Sequence, residues 1–176
     1  CHRRENYGAP MENIFSAVKE IAESYPDVQI IYPVHPAPVV RDTAKRILGG
    51  LENVALIEPL DAIDMHRLMS VSYLVMTDSG GIQEEAPSLG KPVLVLRQET
   101  ERPEAVEAGT VEIVGTDKDN IIARVEKLFD DQEHYLKMKR AVNPYGDGFA
   151  CRRIADDLLY YFGLRQQPAA DFAVEG

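Results

Sequence analysis

Tryptophan is absent, and there are only two cysteines, Cys1 and Cys151, at opposite ends of a 176-residue chain. Two such residues make neither a disulfide framework nor a metal-ligand spacing, so a reducing, cytoplasmic setting is expected. No apolar run approaches the roughly 18 residues that a bilayer-spanning helix needs, which excludes a membrane partner of that kind. Basic residues are scarce: 19 Lys and Arg stand against 29 Asp and Glu, a net charge of −10. That deficit argues against nucleic acid, whose binders carry a basic excess. A small anion remains compatible, because it needs only a few local donors. Walker and G-x-G-x-x-G loops, a serine elbow, a catalytic cysteine with its base and a His/Cys/Asp cluster for a metal are all missing. The chain opens on Cys1-His2-Arg3-Arg4 rather than on a signal-peptide pattern.

What is present is alternation. Hydrophobic residues make up 45% and charged residues 27%, a globular rather than a disordered balance. Strands are expected at 28–34, 53–57, 73–77, 92–96 and 110–114. Most are apolar at consecutive positions, as strands covered on both faces are. Helical periodicity fills the intervals at 11–24, 41–48, 62–69, 81–89, 119–129 and 132–139, with a last helix over about 147–162. This pattern predicts an α/β fold, a Rossmann-like parallel sheet with helices on both faces. One domain is expected over residues 1–162, with a tail at 163–176 whose last dozen residues fray. The loop-like start, with no strand ahead of it, suggests that the first, central strand of a doubly wound sheet is missing.

Four expected strand ends carry polar residues. Thr77-Asp78-Ser79-Gly80-Gly81-Ile82-Gln83-Glu84-Glu85 follows a strand and opens a helix, where ligands of open α/β sheets bind. Ser79 is placed to cap the helix, and Gly80 and Gly81 let a ligand approach the backbone. The N–H groups and helix dipole there favour an anion. Glu85 is placed to accept hydrogen bonds from vicinal hydroxyls such as those of a ribose. Taken alone, the segment fits an ordinary capped helix equally well. Glu84 and Glu85 diverge by about 100° on a helix and are no opposed catalytic pair. His2 and the arginines after it offer positive charge at a second strand end, and Arg102 at a third. His35, between prolines at a fourth, reads more readily as structural. His66 and His134 fall within helical patterns and receive no role.

Five ordered blocks carry a resemblance: His2–Asn6, Pro33–Pro36, Thr77–Val93, Thr100–Ala105 and Asn143–Gly148. Together they closely resemble the carboxyl-terminal half of the bacterial non-hydrolysing UDP-N-acetylglucosamine 2-epimerases. The resemblance implies one half of a glycosyltransferase-B-like two-domain fold, a homodimer, and interconversion of UDP-N-acetylglucosamine and UDP-N-acetylmannosamine for cell-envelope polysaccharide, without a cofactor or metal. It matches Ser79, Gly80 and Gly81 to the diphosphate loop, Glu85 to the ribose carboxylate, Arg102 to a substrate-contacting arginine and His2 to a catalytic histidine. Leu60 to Met65 match the uracil-holding stretch. Where Met65 stands the family carries an aromatic, and a thioether can also pack on a base. Arg3, Glu5 and His35 match a second-substrate effector site found in some bacterial members. The acidic catalytic residues lie on an amino-terminal domain that this chain does not contain, which implies an inactive half. Alternatives are a hydrolysing relative releasing free N-acetylmannosamine, a UDP-sugar glycosyltransferase domain and a non-catalytic nucleotide-sugar sensor.

Overall fold

The computed structural model describes residues 1–172. A 3-10 turn, Arg4–Asn6, leads into α1 (Ala9–Ser24), followed by β1 (Ile30–Pro33), α2 (Pro38–Leu48), β2 (Val54–Ile57), α3 (Ala62–Val71), β3 (Val75–Thr77) and α4 (Gly80–Ser88). Then come β4 (Val93–Val95), α5 (Pro103–Glu107), β5 (Val111–Ile113), α6 (Lys118–Asp130), α7 (Gln132–Arg140) and α8 (Ala150–Tyr161). All strand pairs are parallel: β1 with β2, β3 with β4, and β4 with β5.

The β4 triplet shows why consecutive apolar residues mark a doubly covered strand. Side chains alternate across a strand. Leu94 and Leu96 enter one core, shared with Met11, Ile14 and Phe15 of α1 and Ile121 and Leu128 of α6. Val93 and Val95 enter a second, shared with Met69 of α3, Ala86 of α4 and Ala105 of α5. Helices thus cover both faces, as expected. In α1 the buried positions Met11, Ile14, Phe15, Ala17, Ile21 and Ala22 follow the helical stripe.

Differences from expectation have local causes. Pro38 starts α2 three residues ahead of Arg41, because its fixed φ suits a first helical turn. A short helix, α5, forms where no element was expected; Pro103 initiates it and only Ala105 is buried, so it has no period to detect. The last helix starts later than 147, because Asp147 accepts the Phe149 N–H and pairs with Arg153 in the turn before it. The residues after α8 make contacts back to it. The Ala169 N–H bonds to Asp157, Arg165 pairs with Asp156 and the Arg153 guanidinium lies over the Phe172 ring. Residues 173–176 of the expected tail lie outside the described residues.

The largest departure is that the described strands form two sheets, β1–β2 and β3–β4–β5, rather than one. Between the edges of β1 and β3 runs an open slot of about 440 Å³, with Phe15 and Val125 lining one face and Met65 and Met69 the other. Strand residues that would be buried in a continuous sheet stay half-open here, and Ile31 keeps 44% of its surface. Residues 1–3 cross the carboxyl end of the slot. Tyr32 Oη donates to the Cys1 carbonyl at 2.8 Å, and the His2 and Arg3 N–H groups donate to Asp78, which follows β3.

Candidate functional site

The polar residues gather where the parallel strands end, because the helices run back from those ends and leave the loops exposed there. After β3, Thr77 Oγ1 accepts the Ser79 N–H at 3.0 Å and turns the chain into α4. Ser79 occupies the N-cap position with extended backbone, but its hydroxyl makes no capping bond. That corrects the expected capping role of the side chain and leaves the first-turn N–H groups of α4 to other partners.

Two guanidiniums stand over this helix start. A methyl carbon built on Gly80 would lie 3.7 Å from Arg3 Nη2 and 4.0 Å from Arg102 Nη2. Each arginine is held from behind: Arg3 Nε donates to the Asp78 carbonyl, and Arg102 Nε pairs with Glu84. Glu84 itself faces away from Glu85, as their adjacency on one helix requires. A partly buried bond from the Thr100 hydroxyl to Gln83 Oε1, at 2.6 Å, joins the loop bearing Arg102 to α4. Fixed cationic forks beside a helix N-terminus suit a phosphate or diphosphate.

His2 sits beside this cradle. Its ring stacks on His35 with centroids 4.8 Å apart and planes 8° from parallel, and its Nδ1 lies 3.5 Å from Asp78 Oδ1. Burial lowers the His2 pKa below the ordinary imidazole value of 6.5; the Asp78 charge opposes this, while His35 and Arg3 add to the lowering. The unfolded chain therefore binds the His2 proton more readily than the folded one. Stability from this group is full above about pH 6.5 and is lost as acid approaches the folded pKa. Replacing His2 with Asn should flatten this part of the stability–pH profile, measured as urea midpoints between pH 7 and 5.

Glu85 lies on the exposed side of α4, and its Oε2 meets His66 Nε2 at 2.9 Å. This contact brings the start of α3, with Met65, against the candidate ribose position. Met65 packs partly into the second core and Leu60 is half-buried after β2. Glu5 turns to Arg97, whose Nε donates to it at 2.6 Å. The structure thus brings His2, Arg3, His35, Ser79, Gly80, Gly81 and Arg102 to one rim, with Glu5 on its outer side and Glu85 next to α3. Sequence reasoning passed over Asp78, Gln83 and His66, whose partners are 17 to 76 positions away and leave no local signal. Among the described residues no group of three or more His, Cys, Asp or Glu is placed to hold a metal ion.

The family model described as UDP-N-acetylglucosamine 2-epimerase matches residues 1–159. The UDP-N-acetylglucosamine 2-epimerase of Bacillus subtilis is 54% identical over 172 residues, covering 98% of this chain and 45% of that protein. The Escherichia coli K12 enzyme of the same name is 55% identical over 157 residues, 89% of this chain and 42% of that protein. The structure of S. aureus MnaA with UDP superimposes with a TM-score of 0.92 at 52% identity, covering 98% of this chain and 47% of that one. That of UDP-GlcNAc 2-epimerase from Neisseria meningitidis bound to UDP-GlcNAc gives 0.86 at 49% identity, covering 90% and 43%. The chain spans a little under half the length of these relatives. Its matched extent and its identity to these relatives place it in the UDP-N-acetylglucosamine 2-epimerase family.

Proposed function

We propose that this chain is the nucleotide-binding half of an isomerase that interconverts UDP-N-acetylglucosamine and UDP-N-acetylmannosamine. The observation that carries the reading is the pair of guanidiniums, Arg3 and Arg102, over the Gly80 end of α4. In this reading Ser79, Gly80 and Gly81 present backbone N–H groups to the diphosphate, Arg102 contacts it and Glu85 holds the ribose hydroxyls. Leu60 and Met65 flank the uracil. His2 is the catalytic group from this half, and the acidic groups come from the other. Arg3, Glu5 and His35 form an effector site for a second substrate molecule, with Arg3 facing both sites.

The chemistry follows from what the cradle stabilises. Removal of the proton from the second sugar carbon and departure of UDP from the first leave an unsaturated sugar. Its re-addition to UDP, with the proton returned to the opposite face, inverts one centre. The developing diphosphate charge is the quantity that fixed arginines and a helix N-terminus stabilise, and they retain UDP between the two steps. Residues 1–162 form the domain of this half and 163–176 its tail. The slot between β1 and β3 receives one further parallel strand that ends at Cys1. Homodimer assembly, a cytoplasmic location and supply of cell-envelope polysaccharide belong to the same reading.

In a protein containing both halves, Glu85→Ala should weaken UDP binding by about 1–3 kcal/mol, the range for charge-assisted hydrogen bonds. Calorimetry would read this as roughly 5- to 150-fold in Kd; unchanged affinity would remove the ribose assignment. Turnover in deuterated water should place deuterium on the second sugar carbon of a UDP-linked product. Release of free sugar would favour the hydrolysing alternative, while binding without exchange would favour a sensor. The isolated 176-residue chain should show no epimerisation.

A further inference from the structure

Asp78 has no role in the function proposed above, yet it is the most heavily engaged polar residue of the rim. It is fully buried immediately after β3. Its Oδ2 accepts three hydrogen bonds: from the His2 N–H at 2.7 Å, the Arg3 N–H at 2.8 Å and the Asn6 side-chain amide at 3.1 Å. Its Oδ1 is buried and has no hydrogen-bond partner. The basic side-chain nitrogen near that oxygen is His2 Nδ1, at 3.5 Å. A buried acceptor of this kind costs stability unless a donor turns to it. The stack on His35 fixes the plane of the His2 ring, and within that plane Nδ1 faces Asp78. Nε2, on the far edge of the imidazole, then faces away from the carboxylate. Burial disfavours the charged form of Asp78, while the N–H bonds from Arg3 and His2 and the charge of the His2 ring favour it.

We propose that Asp78 is a positioning residue that keeps a proton on His2 Nδ1, so that proton exchange in the cleft is confined to His2 Nε2. A neutral His2 then presents an acceptor to the cleft. When Nε2 takes up a proton, the same carboxylate faces the resulting imidazolium and stabilises it. Asp78 also anchors the backbone of His2 and Arg3, so one buried carboxylate sets both the place of the histidine and its tautomer. The proposal rests on the assignment of His2 to catalysis, but the tautomer can be measured without substrate.

The test uses histidine labelled with nitrogen-15. In the unmodified chain the His2 ring should carry its proton on Nδ1, and protonation at Nε2 instead would overturn the proposal whatever any variant does. Asp78→Asn keeps the size of the side chain and an oxygen for the His2 and Arg3 N–H groups, but it directs an amide N–H toward His2 Nδ1. The proton should therefore move to Nε2, whereas an unchanged tautomer in folded Asp78→Asn would also overturn the proposal. In a protein with both halves, Asp78→Asn should lower kcat at least 100-fold while the Kd for UDP stays within threefold. Equal losses in both would reduce Asp78 to a structural anchor. Failure to bind UDP at all would sink the functional reading and leave the tautomer result standing.

Discussion

Leu94→Ala should lower the free energy of unfolding by about 2–5 kcal/mol, the range for truncating a buried leucine, and toward its upper end. Leu94 is fully buried at the centre of β4, the middle strand of the three-stranded sheet, with β3 on one side and β5 on the other. Both neighbours are fixed by ladder bonds, so little can move to fill the space left behind. Its side chain points into the larger core, on the face shared with α1 and α6. A single domain has only about 5–15 kcal/mol in total, so the variant should sit close to its unfolding threshold. Ile31→Ala is the contrasting case. Ile31 borders the slot and is 44% exposed, and its loss should cost less than about 1 kcal/mol. Urea midpoints at unchanged slope would compare the two. Equal costs would mean that β4 is no more confined than the slot edge.

The same contrast explains which parts of the fold could be read from the sequence. The triplet Val93-Leu94-Val95 announces a strand covered on both faces, because each face has its own core. The stripe in α1 announces a helix with one buried side. Both signals are local and repeat within a few residues. The glycine turn after β3 was legible for a similar reason, since strand, turn and helix follow one another directly.

Hidden from the sequence were features made by distant partners. Asp78 meets His2, and Glu5 meets Arg97, across 76 and 92 positions respectively. No periodicity links such residues; they meet only because parallel crossovers return every strand end to the same rim. His66 lay inside a helical pattern that gave it no role, although the approach of α3 to α4 sets it on Glu85. Ser79 shows the opposite error. Its residue type and position both predicted a cap, but Thr77 takes the Ser79 N–H and the Ser79 hydroxyl stays out of the helix.

An apolar segment of about six residues, rich in valine and isoleucine and joined ahead of Cys1, should raise the melting temperature by about 10–20 °C over a Gly-Ser extension of equal length. The slot supplies the physical grounds. Its two edges are strands with outward N–H and C=O groups, its walls are core residues of both faces, and its open end leads to Cys1. Fully burying one aliphatic side chain contributes roughly 1.5–3 kcal/mol, while ordering a residue costs about 1.5 kcal/mol. A net gain near 0.8 kcal/mol per residue comes to about 5 kcal/mol, and each kcal/mol moves the midpoint of a domain this size by roughly 2–4 °C. Amide exchange at Ile31 and Met76 should slow in the same variant, because their N–H groups alternate with those already paired to β2 and β4 and face the slot, where the new strand bonds to both edges. Equal melting of the two extensions would show that the slot accepts no strand. A rise would bear on the site as well, since a strand ending at Cys1 fixes the backbone that carries His2. The imidazole would then be held from two sides, by Asp78 at its own backbone and by the sheet immediately behind it.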